Sequence, residues 1–174
     1  MATTKMAVVA FVLVLSMAMA SMAQNTADEL EFVALHNVAR REVGVEDVVW
    51  DETVAAFARA YAARRAGDCS LQHSEDAERW KLGYGENIVV GPPGSDLTVA
   101  VAVQEWVKEK QYYDSASGMC LIGLPQELRC GHYTQVVWRN TKAIGCARVK
   151  CDNGGVFVTC NYTPAGNVYG QRPF

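Results

Sequence analysis

The sequence predicts an α+β layered domain behind a secretory leader, and three observations carry that expectation. Apolar residues recur at helical spacing up to about residue 113, then at strand spacing from residue 133 onward. Six cysteines, an even number, all lie in the part that follows the leader.

Within residues 1–23 Lys5 is the only ionised side chain, Met6 to Leu15 is almost wholly apolar, and Ala18 to Ala23 is rich in small residues. That order is a signal peptide. The apolar run is shorter than the ~20 residues of a membrane span, which disfavours an amino-terminal anchor. Ser21-Met22-Ala23 offers small side chains where a signal peptidase reads, so cleavage is expected before Gln24. Removing 23 of 174 residues leaves 151 (24–174), enough for one domain with its own core. This mature chain is expected to be extracellular and monomeric, with no transmembrane segment. Loss of Lys5 takes the formal charge from −3 to −4, too acidic for a polyanion, so nucleic acid is not an expected partner.

The first helix runs from Asp28 to Val43, with Leu30, Val33, Leu35, Val38, Ala39 and Val43 as its apolar stripe and Gly44 as its stop. Asp51 caps a second, in which Val54, Phe57, Ala58 and Tyr61 are buried and Arg64 and Arg65 occupy the last turn before Gly67. A short helix is expected to start near Ser74, its cap. Gly83, Gly85, Gly91, Pro92, Pro93 and Gly94 then mark a loop containing Glu86-Asn87-Ile88. A third long helix spans Leu97 to Tyr113, and a polar loop from Asp114 to Gly131 holds Cys120 and Cys130. Three strands follow, Tyr133 to Trp138, Ile144 to Lys150 and Val156 to Tyr162, the last two joined by the turn Asp152-Asn153-Gly154-Gly155.

No cysteines form a Cys-x-x-Cys pair, so three disulfides are expected rather than a zinc knuckle. His36 lies one helical turn from both Phe32 and Arg40, and packing or hydrogen bonding within the fold explains it. Trp50, Trp80, Trp106 and Trp138 read as core. His73 and His132, by contrast, sit beside polar and glycine signals, as does Glu86. Glu105 adjoins Trp106 after the apolar run Val99 to Val103. No serine or cysteine nucleophile presents itself, so binding is expected rather than catalysis.

The segments Leu71-Gln-His-Ser74, Tyr84-Gly-Glu-Asn87, Gln104-Glu-Trp106, Gly131-His-Tyr-Thr-Gln-Val-Val-Trp138 and Cys160-Asn-Tyr162, followed by Pro164-Ala-Gly-Asn167, resemble the plant pathogenesis-related 1 proteins. These belong to the superfamily of cysteine-rich secretory proteins and insect venom antigens, and the likeness covers essentially the whole mature chain. It implies a three-layer α-β-α sandwich with a central antiparallel sheet. It also implies disulfides Cys69–Cys151, Cys120–Cys130 and Cys146–Cys160, and a shallow cleft where His73, Glu86, Glu105 and His132 meet. In some relatives two histidines hold a divalent ion such as zinc, here His73 and His132. A hydrogen-bonded cleft with no ion is the other reading, and no cofactor is required.

The resemblance further implies a defence protein with antifungal or anti-oomycete activity, acting by capture of sterols or related membrane lipids. Tyr112, Tyr113, Met119, Leu121, Ile122 and Leu124, in the loop after the Glu-Trp helix, either form the lipid slot or simply cover the core. Two alternatives remain open: a precursor releasing Pro164 to Phe174 as a defence signal, and an extracellular peptidase. Asn161-Tyr162-Thr163 is a glycosylation sequon that the adjacent Pro164 and Cys160 make a poor acceptor.

Overall fold

A computed structural model describes residues 2–121 and 130–174. In chain order its elements are α1 (Ala2–Glu42), β1 (Val49–Trp50), α2 (Glu52–Arg65), α3 (Asp76–Leu82), β2 (Gly85–Gly91), α4 (Val99–Lys108), a 3₁₀ turn (Glu109–Tyr112), β3 (Tyr113–Asp114), β4 (Met119–Cys120), α5 (Gly131–Val136), β5 (Ala143–Lys150) and β6 (Val156–Thr163). The main sheet runs β1-β5-β6-β2, antiparallel except for the β1–β5 pair. Among the described residues no helix is long and apolar enough to cross a membrane.

Strand alternation divides the core in two. Ile144, Cys146, Val158, Cys160 and Tyr162 face α1, α4 and α5, packing on Phe32, Ala39, Val103 and Trp106. Ile88, Ala147 and Phe157 face α2, packing on Ala58, Tyr61 and Ala62. This is the expected three-layer sandwich. At Gly145 the backbone of α2 comes so near that a β-carbon would collide with Val54 and Ala55.

Local signals placed α2 well. Asp51 Oδ1 accepts from the N–H groups of Thr53 and Val54 at 2.8 and 3.0 Å, and Thr98 caps α4 through Val101. In α1 the inward stripe is Phe32, His36, Ala39 and Arg40, while Leu30 and Val38 are exposed. The helix continues unbroken from Ala2 rather than starting near Asp28. Four further expectations need correction. Ser74 does not cap α3, whose N-cap position is Glu75. The glycines read as loop flank β2 instead of interrupting it, Gly83 being the left-handed stop of α3 at φ 70°. Residues 131–136 form α5, not a strand, and Trp80 is exposed.

All three disulfides have the pairing the resemblance implied, and no cysteine among the described residues is free. Asn161 of the sequon is fully buried in β6. The tail packs on the body. Thr141 donates its hydroxyl to the Pro164 carbonyl at 2.9 Å, the Gly166 N–H reaches Gln135 Oε1 at 3.0 Å, Arg139 N–H reaches the Pro173 carbonyl at 2.7 Å, and the Phe174 ring meets Tyr113.

A buried polar chain crosses the core. His36 Nδ1–H donates to the Phe32 carbonyl at 2.7 Å, so its Nε2 accepts from the Tyr162 hydroxyl at 2.9 Å. Asn87 donates to that same hydroxyl oxygen at 3.1 Å and to the His132 carbonyl at 3.0 Å. Burial lowers the His36 pKa from 6.5 to about 4, against the opposing pull of the Phe32 hydrogen bond. Because the folded value lies below the unfolded one, the contribution is complete above pH 6.5 and fades as pH falls towards 4. The expected loss over that window is about 3 kcal/mol. Urea titrations at pH 7 and pH 4 check this, and His36→Gln should show a correspondingly flatter pH dependence.

Candidate functional site

The structure brings the two histidines to carboxylates as two separate pairs. On β2, Glu86 has no exposed side-chain surface. Its Oε1 accepts from His73 Nδ1 at 2.8 Å, the Ser74 N–H at 2.9 Å and Arg79 at 3.2 Å; its Oε2 accepts from Asn161 at 3.3 Å. Burial pushes this carboxyl up, but the hydrogen bonds from His73 and Ser74 and the His73 charge together hold it below the ordinary carboxylate value. Glu86 is therefore an anchored, ionised group.

The second pair is His132 with Glu109, not with Glu105. Glu109 Oε1 accepts from His132 Nδ1 at 2.6 Å, while Oε2 accepts from the N–H groups of His132 and Tyr133 at 2.8 and 3.3 Å. One carboxylate thus orients the imidazole and ties the 3₁₀ turn to the start of α5. Glu105 lies at the same cleft but pairs with Lys108 at the surface. The reason is helical geometry. Trp106 is buried, and the residue three later shares its face whereas the one before it does not. The Trp106 and His132 rings accordingly stack at 6.5 Å. We expect Glu109→Ala to cost about 2 kcal/mol, since it strands two backbone donors and an imidazole. Glu105→Ala should stay within about 0.5 kcal/mol, as for an exposed ion pair. Thermal or urea unfolding of the two variants measures the contrast.

Among the described residues the two histidines line different cavities. His132 lines a cavity of 420 Å³ with Leu71, Ile88, Val89, Val90, Trp106, Glu109 and Tyr112 among its walls. His73 lines a smaller one of 160 Å³ with Tyr61, Arg64, Arg65, Gln72 and Glu75. They are neighbours through β2, where Glu86 holds His73 and the next residue, Asn87, holds the His132 carbonyl. Successive strand residues point to opposite faces, so Glu86 and Asn87 reach their two partners from opposite faces of β2.

Of the expected lipid-slot residues, Tyr112 lines the larger cavity. Tyr113 turns away to pack on Tyr133 and Phe174, and Met119 and Leu121 are exposed on and beside β4. Ile122 and Leu124 lie outside the described residues.

For a metal, the donor set falls short. Each Nδ1 is taken by its own carboxylate, a pattern that orients an imidazole with Nε2 outward. Yet among the described residues no group of three His, Cys, Asp or Glu side chains gathers, and zinc sites in proteins take three or four such ligands. Nor, among the described residues, is a serine or cysteine nucleophile bonded to either imidazole. Ser74 gives its backbone N–H to Glu86 and makes no hydroxyl bond to His73, and all six cysteines are in disulfides.

Residues 33–162 match the CAP family model, described as the cysteine-rich secretory protein family. The chain is 51% identical over 163 residues to the pathogenesis-related protein PR-1 type of Sambucus nigra, covering 94% of this chain and 90% of that one. Among solved structures, Na-ASP-1 superposes with a TM-score of 0.72 at 30% identity over 84% of this chain, which spans 41% of that longer one. The crystal structure of NaASP2 with Zn2+ gives 0.69 at 27% identity, covering 84% of each chain.

Proposed function

This chain belongs to the cysteine-rich secretory protein family, and on that premise we propose that it is a secreted plant defence protein that works by binding rather than by catalysis. Its 51%-identical relative carries the name pathogenesis-related protein, and three disulfides suit an oxidising extracellular space. The leader at residues 1–23 is the export signal of this reading.

The ligand is a sterol or related membrane lipid, and the observation that carries this is the lining of the 420 Å³ cavity. Leu71, Ile88, Val89, Val90 and Trp106 provide apolar wall, Tyr112 an aromatic side, and His132 and Glu109 a polar end suited to a lone hydroxyl. Capture of membrane lipid would then be the antimicrobial act. The reading asks for no metal. NaASP2 has been crystallised with Zn2+, but the His–Glu pairs here support the role of orienting groups.

Titration of the oxidised chain with a fluorescent sterol, with and without chelator, tests this. Saturable binding unchanged by chelator and weakened at least about tenfold by Tyr112→Ala is expected. No binding, or binding indifferent to Tyr112→Ala, overturns it.

A further inference from the structure

The two edges of the main sheet are unlike. β1 is two residues long, whereas β2 runs for seven and, among the described residues, pairs with β6 alone. The direction of the free groups on β2 follows from the register. Cys146 and Cys160 oppose each other on β5 and β6 with Cα atoms 4.0 Å apart, the close approach of a non-hydrogen-bonded antiparallel pair. Cys160 therefore turns its N–H and C=O towards its β2 partner Asn87, and the alternate residues Ile88 and Val90 turn theirs away from the sheet.

Trp106 agrees with this, its indole N–H reaching the Ile88 carbonyl from outside at 3.3 Å. The N–H groups of Ile88 and Val90 and the Val90 carbonyl have no partner among the described residues. Those residues, with Val89 between them, also line the 420 Å³ cavity. Proteins normally blunt such an edge with proline, lysine, a bulge or a covering element, because it templates another strand. Over Ile88-Val89-Val90 there is no proline and no charge.

We propose that the free edge of β2 within the cleft receives an extended segment of another polypeptide as a fifth strand of the sheet. Two donors about 7 Å apart and an acceptor beside the second match the repeat of an extended backbone. A sterol, with its single hydroxyl, cannot satisfy them. Alternate side chains of the incoming strand would face Trp106 and His132 on one side and Leu71 on the other, so apolar residues at every second position suit it. This goes beyond lipid capture but uses the same cavity, so the test contains no lipid.

The probe is a blocked heptapeptide alternating valine and threonine, flanked by lysines for solubility. Its twin is N-methylated at every residue and cannot donate to a strand. With the full oxidised chain, the plain peptide should bind saturably and slow amide exchange at Ile88 and Val90, and the twin should bind at least about tenfold more weakly. Val90→Pro removes an outward N–H that β6 does not use, so it should keep the circular dichroism of the fold and lose peptide binding to a similar degree. Equal binding of the twins, or no change at the Ile88 and Val90 amides at millimolar peptide, overturns the proposal. A concentration-dependent dimer abolished by Val90→Pro, without peptide binding, overturns it in favour of a second copy at that edge. Loss of sterol binding in the separate titration leaves these outcomes untouched.

Discussion

Replacing Arg40 with methionine is expected to destabilise the fold by at least ~4 kcal/mol. The side chain is fully buried, and its guanidinium donates to four backbone carbonyls: Glu46 at 2.7 Å, Val136 at 3.0 Å, Trp138 at 2.9 Å and Thr141 at 3.0 Å. Burial lowers its pKa, but from so high a value that the charge is kept. A buried ion pair can be exchanged for hydrophobic residues because both partners leave together. Here the acceptors are main chain and stay behind, each costing about 1 to 3 kcal/mol when left without a donor. The loops at 43–48 and 136–141 would lose their common anchor. Arg40→Lys keeps the charge but lacks the planar fork, so it should recover only part of the loss. The urea midpoint should fall by roughly 2 M for methionine, given a slope of about 2 kcal/mol/M.

Removing the Cys69–Cys151 bridge, as Cys69→Ala with Cys151→Ala, should be the other large effect. It spans 82 residues, against 10 for Cys120–Cys130. Loop-closure entropy alone puts the two at about 4.5 and about 3 kcal/mol. The longer bridge also fastens the segment leading to His73 onto the end of β5, where Cys69 and Cys151 are both buried against Phe157. Its removal should therefore also loosen the His73–Glu86 pair, whereas the shorter bridge is distant from it in sequence. Paired urea titrations of the two double variants, with the same readout, decide the order.

Much of this architecture is local and therefore legible from residues. Asp51 announces α2 because a capping carboxylate needs only its own next three residues. β5 and β6 are legible because Asn153-Gly154 sits between two β-branched runs. The segment Gly131–Val136 is different. Tyr133 to Trp138 is buried throughout, so no polar face reveals a period, and Glu109, 23 residues earlier, helps decide for helix by accepting the N–H groups of His132 and Tyr133.

The carboxylate partner of His132 was concealed for a related reason. Adjacency to Trp106 favours Glu105, but neighbours in sequence sit about 100° apart on a helix. Taking Trp106 as the inward residue and stepping by three reaches Glu109, so the spacing was present in the sequence. The placing of the two histidines on different cavities was not: Glu86 and Asn87 face opposite sides of β2, and β2 itself was hidden by the glycines that bound it.

The placement of ligand binding in the Trp106–His132 cleft is tested most directly by the indole N–H resonances of Trp50, Trp80, Trp106 and Trp138 during a sterol titration of the isotope-labelled, oxidised chain. The Trp106 signal, whose donor lies against the Ile88 carbonyl at the cavity wall, should move and saturate with the ligand while that of exposed Trp80 stays still. Saturable sterol binding with the Trp106 resonance unmoved would contradict it.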